Sequence, residues 1–354
     1  VLHFIIKRIG YGLLVMLGVI LIIFFLFNVL PVNSARLTLG QRADVSSVEA
    51  IEKELGLNLP VHKRLIKYIG ELLPVWIHEY SDEAQERYGY KVLLKLSSSS
   101  ALTLKAPYLG RSYQTRRLVS EILLEKIPST VILALTAMLI ATITGIILGI
   151  IAAIHHNGFW DNVLTSLSVL GISQPSYFAG IILALVFGYL WHDITGLNHV
   201  GSLFELNDFG DEVIVWKNLI LPAIALGIRP VAIIMQLTRS SMLDVLSQDY
   251  IRTARAKGLS FNTVLFKHSL RNALNPVVTS ISGWLAALLA GAYFVEIIFD
   301  FKGLGYETVK ALLNFDFPVV MGSVLFTAIT FVVINMLTDV VYAFLDPRIS
   351  VKSS

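Results

Sequence analysis

The chain has 354 residues, of which 55% are hydrophobic and only 15% charged, with a net charge of +3 and no cysteine. Soluble domains carry about 25% charged residues, so one large soluble domain is a poor fit. The small net charge gives no electrostatic case for nucleic acid, and the lack of Cys excludes disulfides, thiolate metal sites and Cys nucleophiles.

The apolar residues fall in long runs, and crossing the hydrocarbon core takes about 20 of them. The first run, 9–30, follows Lys7 and Arg8. It exceeds the roughly 7–15 residues of a signal-peptide core and runs into Pro31 without a small-residue cleavage site, so a retained span is expected. Further spans are expected at 129–154, with Pro128 suited to its first turn, at 163–191 with Pro175 inside, at 219–237 with Pro222 and Pro230, at 277–299 and at 319–345. Small residues such as Ala141, Thr142, Thr144, Gly145 and Gly149 allow close helix approach, which predicts a packed bundle.

The fold class expected is an all-α membrane protein of six transmembrane helices. Residues 1–30 hold the first helix, 31–127 a long extracytoplasmic loop, 128–345 a five-helix core and 346–354 a cytoplasmic tail. Lys7, Arg8, Arg348 and Lys352 flank the ends, and Arg239, Arg252, Arg255, Lys257, Lys267 and Arg271 crowd the loop 239–276. The loop between the third and fourth spans is acidic, with Asp193, Glu205, Asp208, Asp211 and Glu212 against Lys217. The positive-inside rule then places both termini and the loop 239–276 in the cytoplasm. Inside the long outer loop, 46–55 (SSVEAIEKEL) has the Ser cap and early Glu of a helix stopped by Gly56. Residues 61–73 predict an amphipathic helix, and 90–96 with 101–105, around a four-Ser turn, predict a hairpin.

No enzyme signature is present. Gly303-Leu304-Gly305 lacks the third Gly of a dinucleotide site, and no Walker A sequence occurs. His155 and His156 are adjacent, so they would diverge on a helix, and no carboxylate cluster accompanies them; a pair at a helix end near the lipid interface is expected. Ionisable residues inside spans cost about 2.5–3.5 kcal/mol at mid-membrane. Arg229, Glu296 and Asp339 are therefore candidates for a structural or pathway role.

The sharpest signal is Gln248-Asp249-Tyr250-Ile251-Arg252-Thr253-Ala254-Arg255-Ala256-Lys257-Gly258-Leu259-Ser260. It predicts two short helices broken at Gly258, a residue suited to a left-handed C-cap, with Ser260 capping the second. Small residues among basic ones would let the first helix press into a groove on a partner; a solvated basic loop that only fixes topology is the plainer reading.

This stretch resembles the cytoplasmic coupling loop of ABC importer permeases, and most of all the YxRTARAKGL version of dipeptide and oligopeptide permeases. Aligned on Gly258, the general Glu-Ala-Ala falls on Arg252, Thr253 and Ala254; only Ala254 and the Gly match it. Leu270 matches a later Leu, and Arg271 stands where the general pattern has Pro, both as in the peptide branch. The resemblance runs on through 31–40 (PVNSARLTLG), Leu109-Gly110-Arg111-Ser112-Tyr113, Glu296, Gly303-Leu304-Gly305, Asp316-Phe317-Pro318, Asn335, Asp339, Tyr342 and Leu345-Asp346-Pro347-Arg348. Residues 71–106 have no counterpart and read as an insertion. The family implies a pathway formed with a second permease subunit, two cytoplasmic ATPase subunits that bind ATP and Mg, and an extracytoplasmic substrate-binding protein; this chain would bind no cofactor or metal. Tyr250, Arg252, Thr253, Ala254, Arg255, Ala256, Lys257 and Gly258 would then dock on the ATPase, with Ala254 and Gly258 in close contact and the basic residues making polar contacts. The substrate stays open between dipeptide, oligopeptide, nickel and peptide-like antibiotics. The rivals are an ion-driven secondary transporter, a membrane enzyme using the outer loop and a ligand-sensing permease that does not transport.

Overall fold

The structure, a computed structural model, describes residues 2–28 and 59–345. The helix expected over 46–55 and the tail 346–354 lie outside the described residues. The chain divides into two compact units, one of residues 1–9, 126–306 and 330–354, the other of 10–125 and 307–329.

The first helix, α1, spans Leu2–Asn28. In the second unit α2 (Val61–Leu72) forms where amphipathic spacing predicts it. The hairpin also forms, as β2 (Lys91–Lys95) and β3 (Ser100–Leu104) around the Ser tract. A strand that the sequence reading does not contain, β1 (Val75–Glu79), pairs antiparallel with β3, giving the order β1-β3-β2. Between them α3 (Asp82–Tyr88) starts at Ser81, whose Oγ accepts from Ala84 N–H at 3.2 Å, and ends at left-handed Gly89. Two further helices complete the unit: α12 (Leu304–Leu313), from Glu307 on, and the 317–329 part of α13 (Phe317–Leu345). Its core joins Ile23, Leu72 and Leu325 with Tyr68, Leu109 and Met321. Asp316 is buried here, accepting from Ser112 Oγ at 2.5 Å and from Tyr113 N–H at 2.9 Å. These hydrogen bonds tie together two of the motif stretches, 109–113 and 316–318.

Most of the first unit is helical. Its elements are α4 (Val119–Ile154, from Lys126 on), α5 (Phe159–Ser173), α6 (Ser176–Leu183) with a π-helical continuation Ala184–Leu190, α7 (His192–Thr195), α8 (Lys217–Leu246), α9 (Asp249–Ala256), a π-helical turn Thr263–Leu270, α10 (Arg271–Gly291) and α11 (Tyr293–Ile298). A small hairpin of β4 (Phe204–Leu206) and β5 (Glu212–Ile214) precedes α8. The core gathers Leu133, Ala137 and Met138 of α4, Leu221, Leu226 and Ile234 of α8, and Phe299 and Phe301. Gly145 and Gly149 are needed where α4 meets α8. A Cβ on Gly145 would come within 2.8 Å of Ile234, and one on Gly149 within 2.7 Å of the Met235 carbonyl oxygen. This is the close approach that small residues permit between helices in lipid.

Several expectations change. The two small sheets qualify the all-α class. Pro128 is inside α4 rather than in its first turn, because Val119-Ser120-Glu121 already opens the helix; proline there removes one helical N–H donor without ending the helix. The single span 163–191 is two arms, α5 and α6 with its continuation, bent by 107°. The bend follows from Pro175, which holds Gln174 in an extended conformation (φ −84°, ψ 137°). Each arm has 15 residues or about 22 Å of rise, short of the roughly 30 Å core. The expected 277–299 is interrupted at Ala292, between α10 and α11. Among the described residues, four helices are long and apolar enough to cross a membrane, or five if the bent pair counts as one span.

Candidate coupling site

The site begins with α8, which runs past the apolar segment and carries the chain straight to Leu246. After a turn at Ser247-Gln248, α9 opens with Asp249 and closes with Arg255, charges that suit the two ends of the helix dipole. Its end is a Schellman motif: Gly258 N–H donates to the Arg255 carbonyl at 2.9 Å and Leu259 N–H to the Ala254 carbonyl at 3.3 Å. The motif needs a left-handed residue, and Gly258 has φ +78°. Ser260 then caps the next helical stretch, its Oγ accepting from Thr263 N–H at 3.4 Å.

One face of α9 is committed inward. Ile251 and Ala254 are buried against Val264 and Val245. Ala254 thus makes its close contact within the chain and shapes the loop rather than its outer surface. The other expected residues, Tyr250, Arg252, Thr253, Arg255, Ala256, Lys257 and Gly258, are exposed. Arg252 Nη1 lies 3.4 Å from Asp249 Oδ1 in the open, and Tyr250 Oη accepts from Asn272 Nδ2 at 2.9 Å. The π-helical turn is seated by Leu265 on Met242 and Ile150. The result is a short, rigidly based helix presenting a basic, small-residue surface.

A second feature, which the sequence reading missed, sits beside it. Asp161, in the first turn of α5, has a side chain only 2% exposed. It takes both arms of the Arg239 guanidinium, Nε at 2.5 Å and Nη2 at 2.8 Å, and the Asn157 N–H at 2.9 Å. His156 Nδ1 lies 3.3 Å away. The His pair lies at the end of α4, with His156 beside this carboxylate. Among the described residues no group of three His, Cys, Asp or Glu side chains is placed to hold a metal ion.

The in-span candidates separate. Glu296 is fully buried; its Oε1 accepts from Thr130 Oγ1 at 2.7 Å and its Oε2 from Tyr306 N–H at 2.9 Å. Thr130 in turn accepts from Leu304 N–H at 2.7 Å. The loop Gly303-Leu304-Gly305 closes over this carboxylate, and a Cβ on Gly303 would sit 2.6 Å from Glu296 Cδ. Glu296 is thus a latch between helices and loop. Arg229 is exposed midway along α8. Asp339 lies in α13, and its side chain is outside the described residues.

The chain matches the family model for the binding-protein-dependent transport system inner membrane component over residues 145–351, and the model for the N-terminal part of such membrane components over residues 1–85. The chain belongs to this family. The di/tripeptide transport system permease protein DppB of Pseudomonas aeruginosa is 34% identical over 98% of both chains. The dipeptide transport system permease protein DppB of Escherichia coli K12 is 32% identical over 99% of both. A chain of the inward-facing MetNI methionine ABC transporter shares the fold, with a TM-score of 0.52 at 14% identity, over 64% of this chain and 97% of that one. As an inner membrane component of a transport system the protein is a permease subunit and not an enzyme. The α9 surface belongs to such a component.

Proposed function

We propose that this permease forms, with a second permease subunit, the membrane pathway of an ATP-driven importer of peptides, and that α9 with Gly258 is the helix through which cytoplasmic ATPase subunits drive it. The observation that carries the reading is the Schellman-capped α9, its inner face fixed by Ile251 and Ala254 and its outer face left basic and open. The peptide assignment rests on the two DppB relatives that align end to end. In this reading six spans cross the membrane, with α10 and α11 supplying the fifth and the bent α5–α6 pair the third. The termini and 239–276 are cytoplasmic; 31–127, including the inserted sheet, faces outward, where a substrate-binding protein delivers its cargo. ATP and Mg bind the ATPase partners, whose closure biases the helical bundle between inward- and outward-open states. The burial of Glu296 under its loop argues against an ion relay through that acid.

The test is Gly258→Val in the reconstituted transporter. A β-branched residue at φ +78° is strained by about 1–2 kcal/mol, which deforms the end of α9 but leaves the apolar spans untouched. Uptake is expected to fall at least tenfold while the chain remains in the membrane. Uptake at the normal rate would contradict the assignment of α9.

A further inference from the structure

Residues 218–238 of α8 hold one charged side chain, Arg229, between Lys217 and Arg239. The segment rises about 32 Å, the thickness of the hydrocarbon core. Arg229 lies about 18 Å from Lys217 and about 15 Å from Arg239 along the axis, which is mid-membrane whichever end faces in. A guanidinium cannot be neutralised there by losing its proton, and facing lipid at that depth is costly. The side chain nevertheless stands exposed on the surface of the chain. It does so on the most enclosed of the long helices: 67% of the apolar window of α8 is buried, against 33% or less for α1, α4 and α13. The open strip of a central helix, carrying a permanent cation at mid-depth, is a place for water and an anion.

We infer that Arg229 receives the free carboxylate of the transported peptide at the middle of the pathway. The inference rests on the importer reading above and adds to it a residue and a chemical group. The planar fork of arginine matches a carboxylate with two parallel hydrogen bonds, and a carboxylate is the one anionic group that every unmodified peptide carries whatever its side chains. A single cation at this point would therefore hold peptides as a class without selecting among them.

The experiment is uptake of dialanine by the full transporter, with its binding protein, carrying Arg229→Gln or Arg229→Lys, each checked for co-purification of the second permease. Arg229→Gln is expected to lower uptake at least tenfold and Arg229→Lys, which keeps the charge but loses the bidentate fork, by a smaller factor, with the second permease retained in both. A dipeptide photoreactive at its carboxyl-terminal residue is expected to label α8 within a turn of Arg229 in the wild-type complex. Unchanged uptake in Arg229→Gln, equal damage in the Lys variant, loss of the second permease, or labelling confined to other helices would each overturn the inference. Loss of the second permease would make Arg229 an intersubunit contact instead. A wild-type complex that retains no ATPase partner would be a failure of the importer reading, distinct from any of these.

Discussion

His78 shows how a single side chain can make the three-stranded sheet sensitive to pH. Its ring stacks near Tyr90 at 6.0 Å and lies 4.7 Å from Tyr88, and its buried Nε2 has no hydrogen-bond partner among the described residues. Burial, and then the Lys105 ammonium, hold its pKa below the usual 6.5. The unfolded segment thus binds a proton at a pH where the folded sheet still refuses one, so stability rises with pH across that interval. The His78 contribution is complete above the ordinary imidazole value and is lost as pH falls from about 6.5 through the lowered one. Hydrogen-exchange protection over 75–104, with the base-catalysed intrinsic rate divided out, should be high and flat above pH 7 and fall on acidification, and His78→Phe should flatten that dependence. The same fall in His78→Phe would refute the role of the ring. The imidazole could not be singled out in the sequence, because its setting comes from β1 pairing with β3, with His78 opposite Ala101 across 22 intervening residues. Gly258 was legible there, because a left-handed C-cap needs only its own neighbourhood.

Between elements, the Asp161–Arg239 pair joins the first turn of α5 to the stem of α8 that leads directly into α9. Removing one partner of a buried ion pair costs about 3–5 kcal/mol, and the lower end applies because the Arg239 side chain is 24% exposed. Asp161→Asn is expected to lower the thermal unfolding temperature of the detergent-solubilised complex, and the exchange Asp161→Arg with Arg239→Asp to recover part of the loss. An unaltered unfolding temperature in Asp161→Asn would remove the pair from any account of how α8 is held. This clamp was hidden from sequence reading because its members are 78 residues apart. The latch on Glu296 was hidden likewise, with Thr130 lying 166 residues away. Local signals fared better: α2, the β2–β3 hairpin and the Ser260 cap all stand where spacing and capping chemistry predict them. Proline was the ambiguous signal. Pro128, Pro222, Pro230 and Pro276 all sit inside helices, whereas Pro175 breaks one. Which outcome follows depends on packing that single positions do not reveal.

At the scale of the whole molecule, the sequence conveys the class through the order of its apolar runs and the basic stretch around Gly258. What it does not convey is that one run folds back through 107° and another is interrupted at Ala292. Hydropathy measures composition and is blind to direction. The bend and the interruption fit a permease that must change shape, since breaks between rigid arms are where helical bundles pivot. They also leave α8 as the enclosed, continuous element that links Arg229 to α9. The central claim is that this chain works as one subunit of an assembly whose energy enters through α9. Affinity capture of the chain from gently solubilised membranes tests that claim most directly. An ABC ATPase and a second permease should be recovered in stoichiometric amounts. A chain recovered alone, under conditions that keep a known ABC complex intact, would contradict it.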